Sequence, residues 1–249
     1  MSEPATLELI SDGISEDEVI FPPGDILSDK PRSESDLHRD QIDLLIRILK
    51  LWWRKRQDFY ASGNLTIYYS PNQKTSEYFR GPDFFVVLGT QKKDRKSWVV
   101  WQEDGKYPNV IVEILSSSTT ALDKGLKKQV SQDTFRTPDY FWFDPVTMEL
   151  QGFHLVDDKY QEIQVTTDGR LWSQQLELYL GVYEGKLRFF TTENQLILSS
   201  EELAEQERLR AHQAEERAQE SEERAQQAEQ ELARLREVLR TKGIDLENI

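Results

Sequence analysis

After Ser33 the apolar positions fall into a helical rhythm. Leu37, Ile42, Leu44, Leu45, Ile48, Leu49 and Trp52 recur at spacings that line one broad helix face, and Ser33 with Asp36 three residues on resembles a helix start. Gly63 and Asn64 mark a turn, and Leu65-Thr66-Ile67-Tyr68-Tyr69 then has the β-branched and aromatic content of a strand. Four further runs follow: Phe84 to Leu88, Trp98 to Trp101, Val110 to Leu115 and Tyr140 to Phe143. None alternates with polar residues, the mark of strands buried on both faces beneath packed helices. The polar, Lys-rich stretch from Ser116 to Phe135 predicts a crossover helix starting near Thr120.

Residues 150–198 read as a second set of strands, with turns at Asp157-Asp158, Asp168-Gly169, Glu184-Gly185 and Glu193-Asn194. From Ser200 to Arg240 there is no Gly or Pro, which predicts one long helix. Its positions from Ala204 to Leu239 step by fours and threes as a coiled-coil seam does, mostly in alanine until Leu232, Leu235 and Leu239. A lone solvated helix steadied by Glu–Arg pairs is the alternative to self-association. The expected organisation is an irregular acidic arm over 1–33, a folded domain over 34–199, the helix over 200–240 and a tail over 241–249.

Composition narrows the function classes. The absence of cysteine removes disulfides, zinc–thiolate sites and thiol nucleophiles. No apolar stretch is long enough for a membrane helix, and the N-terminus does not read as a signal peptide, so the expected location is cytoplasmic and no membrane partner is expected. The formal charge of −14 argues at first against nucleic acid. Its distribution changes that view: residues 1–40 hold 11 acids and 3 bases, residues 201–249 hold 14 and 8, and residues 41–200 hold 20 of each. The middle also bunches its bases, in Arg54-Lys55-Arg56, Lys92 to Lys96, and Lys124 with Lys127-Lys128; each cluster is either a local anion-binding surface or a solvated face.

Glu113 stands inside an otherwise apolar strand, where an uncompensated carboxylate is costly. A salt bridge to a core Arg or Lys is one resolution. Asp83 offers another, because it opens a second apolar strand after Gly81-Pro82, and neighbouring strands would bring the two acids together. Two carboxylates repel, so such a pair favours a cation, and all-oxygen ligands suit Mg²⁺ or Mn²⁺ rather than zinc. Asp123 and Lys127, four apart, share a face of the crossover helix, either as an ordinary helix pair or with the ammonium turned towards the site. Gln129 lies on the same helix without a fixed direction. The three histidines, His38, His154 and His212, sit in unrelated segments, which argues against a histidine metal site.

Gly81-Pro82-Asp83-Phe84-Phe85-Val86-Val87, then Val112-Glu113-Ile114-Leu115-Ser116 with Thr119, then Asp123 and Lys127, then Pro138-Asp139 through Asp144-Pro145, resemble the Uma family of candidate endonucleases within the PD-(D/E)XK superfamily. The resemblance runs from about Glu34 to Thr191. It implies an α/β restriction-endonuclease-like fold, a central mixed sheet flanked by helices, here with a long C-terminal helix appended. It also implies a Mg²⁺-dependent endodeoxyribonuclease, with Mn²⁺ as a substitute metal and DNA as the partner. Asp83 and Glu113 match the metal ligands, Lys127 the catalytic lysine and Glu34 the acid of the first helix, and the backbone carbonyl of Ile114 is expected to join the two acids in holding the metal. The wider superfamily places its Lys two residues after the Glu, where Leu115 stands here, and a Tyr common in the following helix is replaced by Ser131. A nuclease fold that binds without cutting, or a scaffold acting through its helical tail, is the alternative function, and a homo-oligomer through the domain or that helix is the alternative partner.

Overall fold

The computed structural model describes residues 36–116 and 121–242. The expected arm over 1–33 and most of the tail after Arg240 lie outside these residues. Two units divide the chain, Met1–Ile197 and Leu198–Ile249.

The first described element is α1 (Asp36–Trp52). It buries Ile42, Leu45, Ile48 and Leu49 as expected, but Leu37 and Trp52 at its ends are about half exposed, while His38 and Gln41 are buried instead. The Gln41 amide explains its own burial by pairing with both the N–H and the carbonyl of Leu187, at 2.9 Å each. Next come β1 (Phe59–Ser62), β2 (Ile67–Tyr68), β3 (Phe79–Arg80), β4 (Phe84–Leu88) and β5 (Trp98–Val99). The sequence pattern did not foresee β1 or β3, and it drew β2 and β5 too long. The run after Val99 turns at once into a 3₁₀ helix over Val100–Gln102.

A parallel crossover follows. β6 (Val110–Ile114) leads through α2 (Ala121–Asp133) to β7 (Asp139–Phe143), which lies parallel beside it. The chain then meanders through β8 (Leu150–Val156), β9 (Lys159–Glu162), β10 (Leu171–Ser173), β11 (Leu178–Tyr183) and β12 (Lys186–Phe190). The central mixed sheet runs β1-β4-β6-β7-β8-β9, so β8 and β9 extend it rather than starting a second set of strands. Two small sheets, β10-β11-β12 and β3-β2-β5, complete the unit.

Period-two alternation splits the central sheet into two cores. Phe59, Phe84, Val86, Val110, Val112, Ile114, Phe141 and Phe143 pack with α1 and the β10-β11-β12 sheet. Their neighbours Tyr60, Phe85, Val87, Ile111, Tyr140 and Trp142 pack on the other side with Phe135, Ile67 and Trp98. Runs without polar alternation are therefore strands covered twice, as expected.

The second unit carries α3 (Ser200–Thr241), the long helix anticipated from composition, and it has no buried residue. No helix of the described residues is long and apolar enough to cross a membrane.

Candidate active site

Strand alternation decides which way Glu113 faces. Phe85 and Val87 of β4, and Ile111 of β6, point to the α2 side of the sheet, so the same parity sends Glu113 to that side, while Asp83 stands just ahead of β4 and its carboxylate reaches His38 of α1. The strands pair antiparallel, and Phe84 opposite Val112 is the pair of that ladder next to the two acids. Both acids are buried, at 2% and 5% exposure. Gly63 helps to fix the entry to β4: a Cβ there would meet the Asp83 carbonyl oxygen at 2.3 Å and the Ile42 side chain at 2.5 Å. Beside it the Asn64 N–H donates to the carbonyls of Pro82 and Asp83, at 3.1 and 3.3 Å. Only glycine allows that turn to lie so close to the backbone of the buried acid.

Asp83 Oδ2 accepts the Ile114 N–H at 2.9 Å and lies 3.4 Å from His38 Nε2. The same nitrogen reaches the Ile114 carbonyl oxygen at 3.1 Å. Both oxygens are acceptors, so His38 serves them by donating from Nε2. From α2, Lys127 Nζ donates to Glu113 Oε2 at 3.2 Å. Glu113 and Lys127 line a cavity of about 30 Å³ together with Arg80, Pro82, Ser131 and Phe135, a space on the scale of a single water. Among the described residues no group of three His, Cys, Asp or Glu side chains gathers around one point. Of the expected site residues, Glu113 and Lys127 line that cavity.

Against this geometry, the sequence profile of the Uma2 family, whose description is "Putative restriction endonuclease", matches residues 15–187. The chain belongs to the Uma2 family. Membership supports a nuclease. A crystal structure from Anabaena variabilis, described as "a putative nuclease belonging to DUF820", is similar with a TM-score of 0.43 and 13% identity, over 59% of this chain and 76% of that one. No curated protein matches the chain.

In this Uma2 protein the expected site residues divide. Asp83 is joined to the Ile114 N–H and Lys127 to Glu113, the residue before Ile114. Glu34 lies outside the described residues, as does the side chain of Asp123, while Gln129 is exposed on α2. Ser131, one turn after Lys127, is buried at the cavity wall. His38 is the residue that sequence reasoning missed: its helix looked unrelated to the β4 and β6 motifs, yet it touches the oxygen atoms of both. The one available signal was its position on the apolar face of α1, four residues before Ile42.

The basic clusters also read differently in three dimensions. Arg95 is not part of a solvated face; its side chain is 3% exposed and grips Glu103 with two hydrogen bonds, at 2.7 and 2.8 Å. Its guanidinium lies over Tyr60 and Trp98. Lys124 and Lys128 lie over Trp142 and Phe153, and burial pushes both ammonium groups below the ordinary lysine range. Of the α2 lysines, Lys127 is the one at the cavity.

Proposed function

We propose that the chain is a Mg²⁺-dependent endonuclease that hydrolyses phosphodiester bonds of DNA, with Asp83, Glu113 and the Ile114 carbonyl as the metal-holding groups. The observation that carries this reading is Lys127 at 3.2 Å from Glu113 on the wall of a cavity, with the next residue, Ile114, bonded through its N–H to Asp83. The donor set fits a hard cation: every candidate ligand is an oxygen, and two carboxylates leave coordination positions for water and phosphate, as Mg²⁺ prefers. When bound, the ion would polarise a phosphate oxygen and lower the pKa of a bound water.

The chain's own groups account for the remainder. His38, donating from Nε2, holds Asp83 and the Ile114 carbonyl in place, the kind of support that fixes ligand orientation. Lys127 offsets charge that builds on the phosphate during attack, and its remaining N–H groups orient the water. Glu34 would add an acid from the segment before α1. A second reading, a nuclease fold that binds without cutting, draws support from Ser131, which supplies a small hydroxyl at a wall position where the family commonly carries a Tyr.

Cleavage of plasmid, single-stranded DNA and RNA in Mg²⁺ or Mn²⁺ separates these readings. We expect wild-type cleavage of DNA, and a loss of about a hundredfold or more in Asp83→Ala, the scale of removing one preorganised charge-stabilising group. Equal rates for the variant would overturn the assignment of Asp83. Absence of cleavage under every condition would favour the binding reading.

A further inference from the structure

We propose that an aromatic groove continuous with the carboxylate cavity binds an unpaired nucleobase, so that the substrate is single-stranded or locally unpaired nucleic acid; this rests on the nuclease reading above. The groove has a volume of about 660 Å³ and is lined by Tyr69, Gln73, Tyr78, Arg80, Trp101 and Tyr107 among others. That size lies within the range of roughly 300–1,000 Å³ typical of small-ligand pockets. Arg80 and Val130 belong to the walls of both the groove and the cavity of Glu113 and Lys127. Phe135, at the cavity, carries the rings of Tyr69 and Tyr107 on it, with centroids 4.8 and 5.3 Å away. A chain with its phosphate at the carboxylates therefore has aromatic surface within immediate reach, with the Arg80 cation on the shared wall.

Two features of the groove go beyond what packing requires. Tyr78 is 58% exposed and has φ of 27°, a backbone conformation that bulky residues rarely adopt. It stands 6.0 Å from Tyr69, ring to ring. Gln73, also at positive φ, has a buried Oε1, and Trp101 a buried Nε1, and neither atom has a hydrogen-bond partner among the described residues. A buried acceptor and a buried donor left unpaired on lining residues are costly. Tyrosine faces suit a base face by stacking, regardless of sequence. A base inside a duplex has both faces covered, so only a base outside the stack can use these rings.

The test uses the full-length protein, with Ca²⁺ in place of Mg²⁺, and fluorescence anisotropy of short labelled oligonucleotides: single-stranded DNA, single-stranded RNA and a blunt duplex of the same sequence. Tyr78 is exposed, so Tyr78→Ala leaves the core intact, and Tyr78→Phe keeps the stacking ring. The proposal expects wild type to prefer a single strand over the duplex. Tyr78→Ala should weaken single-strand binding about tenfold, leave duplex binding unchanged, and be rescued by Tyr78→Phe. Equal single-strand binding by wild type and Tyr78→Ala, or no single-strand binding at all, overturns it. Cleavage in Mg²⁺ with the same preparations keeps the two readings apart. If wild type cuts and Tyr78→Ala cuts a single strand equally well, the nuclease stands and the groove falls. If Tyr78-dependent binding occurs without cleavage by wild type, the groove stands and the chemistry falls.

Discussion

The two faces of the central sheet are built by the same four strands yet differ in what they contribute. On the α1 side, β1, β4, β6 and β7 supply Phe59, Phe84, Val112 and Phe143 to the larger apolar core, beside which Gln41 and Asp139 are buried with their hydrogen bonds made. On the α2 side, alternate residues of those strands supply Tyr60, Phe85, Trp142 and Glu113, and the covering residues bring ammonium and guanidinium groups. A shift of one residue in register would exchange the faces entirely. Stability and chemistry are thus interleaved in sequence but separated in space, which makes them separately addressable by mutation.

The largest expected effect tests the hydrocarbon face. Leu45 is fully buried in the α1-side core, so Leu45→Ala should cost about 2–5 kcal/mol of unfolding free energy, through lost transfer energy and the cavity left behind. Urea denaturation measures it. Cleavage per folded molecule should stay at the wild-type level, because Leu45 lines neither the cavity nor the groove. A variant still fully folded but much slower in cleavage would break the separation of the faces.

A smaller and pH-dependent effect sharpens the account of the charged face. Burial alone would raise the Glu103 pKa, but the Arg95 hydrogen bonds and charge, with Lys93, outweigh it and hold the carboxyl below the ordinary range. A depressed folded pKa favours the ionised form in the native state. The pair's stabilisation is therefore fully present above the unfolded value, near ~4.3, and is lost as pH falls through the folded value. Glu103→Gln should lower stability by about 1–2 kcal/mol at neutral pH, the scale of hydrogen bonds to a charged group. The gap from wild type should close under acid. A gap that stayed constant from neutral pH into acid would show that Glu103 acts through shape rather than charge.

The same contrast explains what could be read from the sequence. Doubly buried strands announce themselves as unbroken apolar runs, so β4, β6 and β7 were legible, and the acids stood out because they interrupt or open such runs. Turns at Asp157-Asp158 and Glu184-Gly185 were legible because they require positive φ, which all four residues have. β1 was not, being four residues between a salt-bridged Arg56-Asp58 pair and Gly63. The two-residue strands β2, β3 and β5 are set by their partners rather than by local pattern. His38 and Arg95 went unrecognised for a common reason: each is a polar residue whose burial depends on groups far away or around a turn, and periodicity cannot supply the partner.

The smallest effect belongs to α3, which has no buried face and so lies beyond the contrast. Its start is held locally, by a capping box in which Ser199 Oγ accepts the Glu202 N–H at 3.2 Å and Glu202 Oε2 accepts the Ser199 N–H at 2.7 Å. Along its length, pairs such as Glu220 with Arg224 at 3.1 Å add only a few tenths of a kcal/mol each. Ser199→Ala removes the side-chain half of the box, at a cost of about 1 kcal/mol, which corresponds to roughly fivefold less protection of the first-turn amides from hydrogen exchange. Amides in the sheet should keep their protection, since the box joins only Ser199 and Glu202. Loss of protection spreading into β4 and β6 would mean that the helix start supports the sheet, and α3 would then have to be counted among the elements that hold the site.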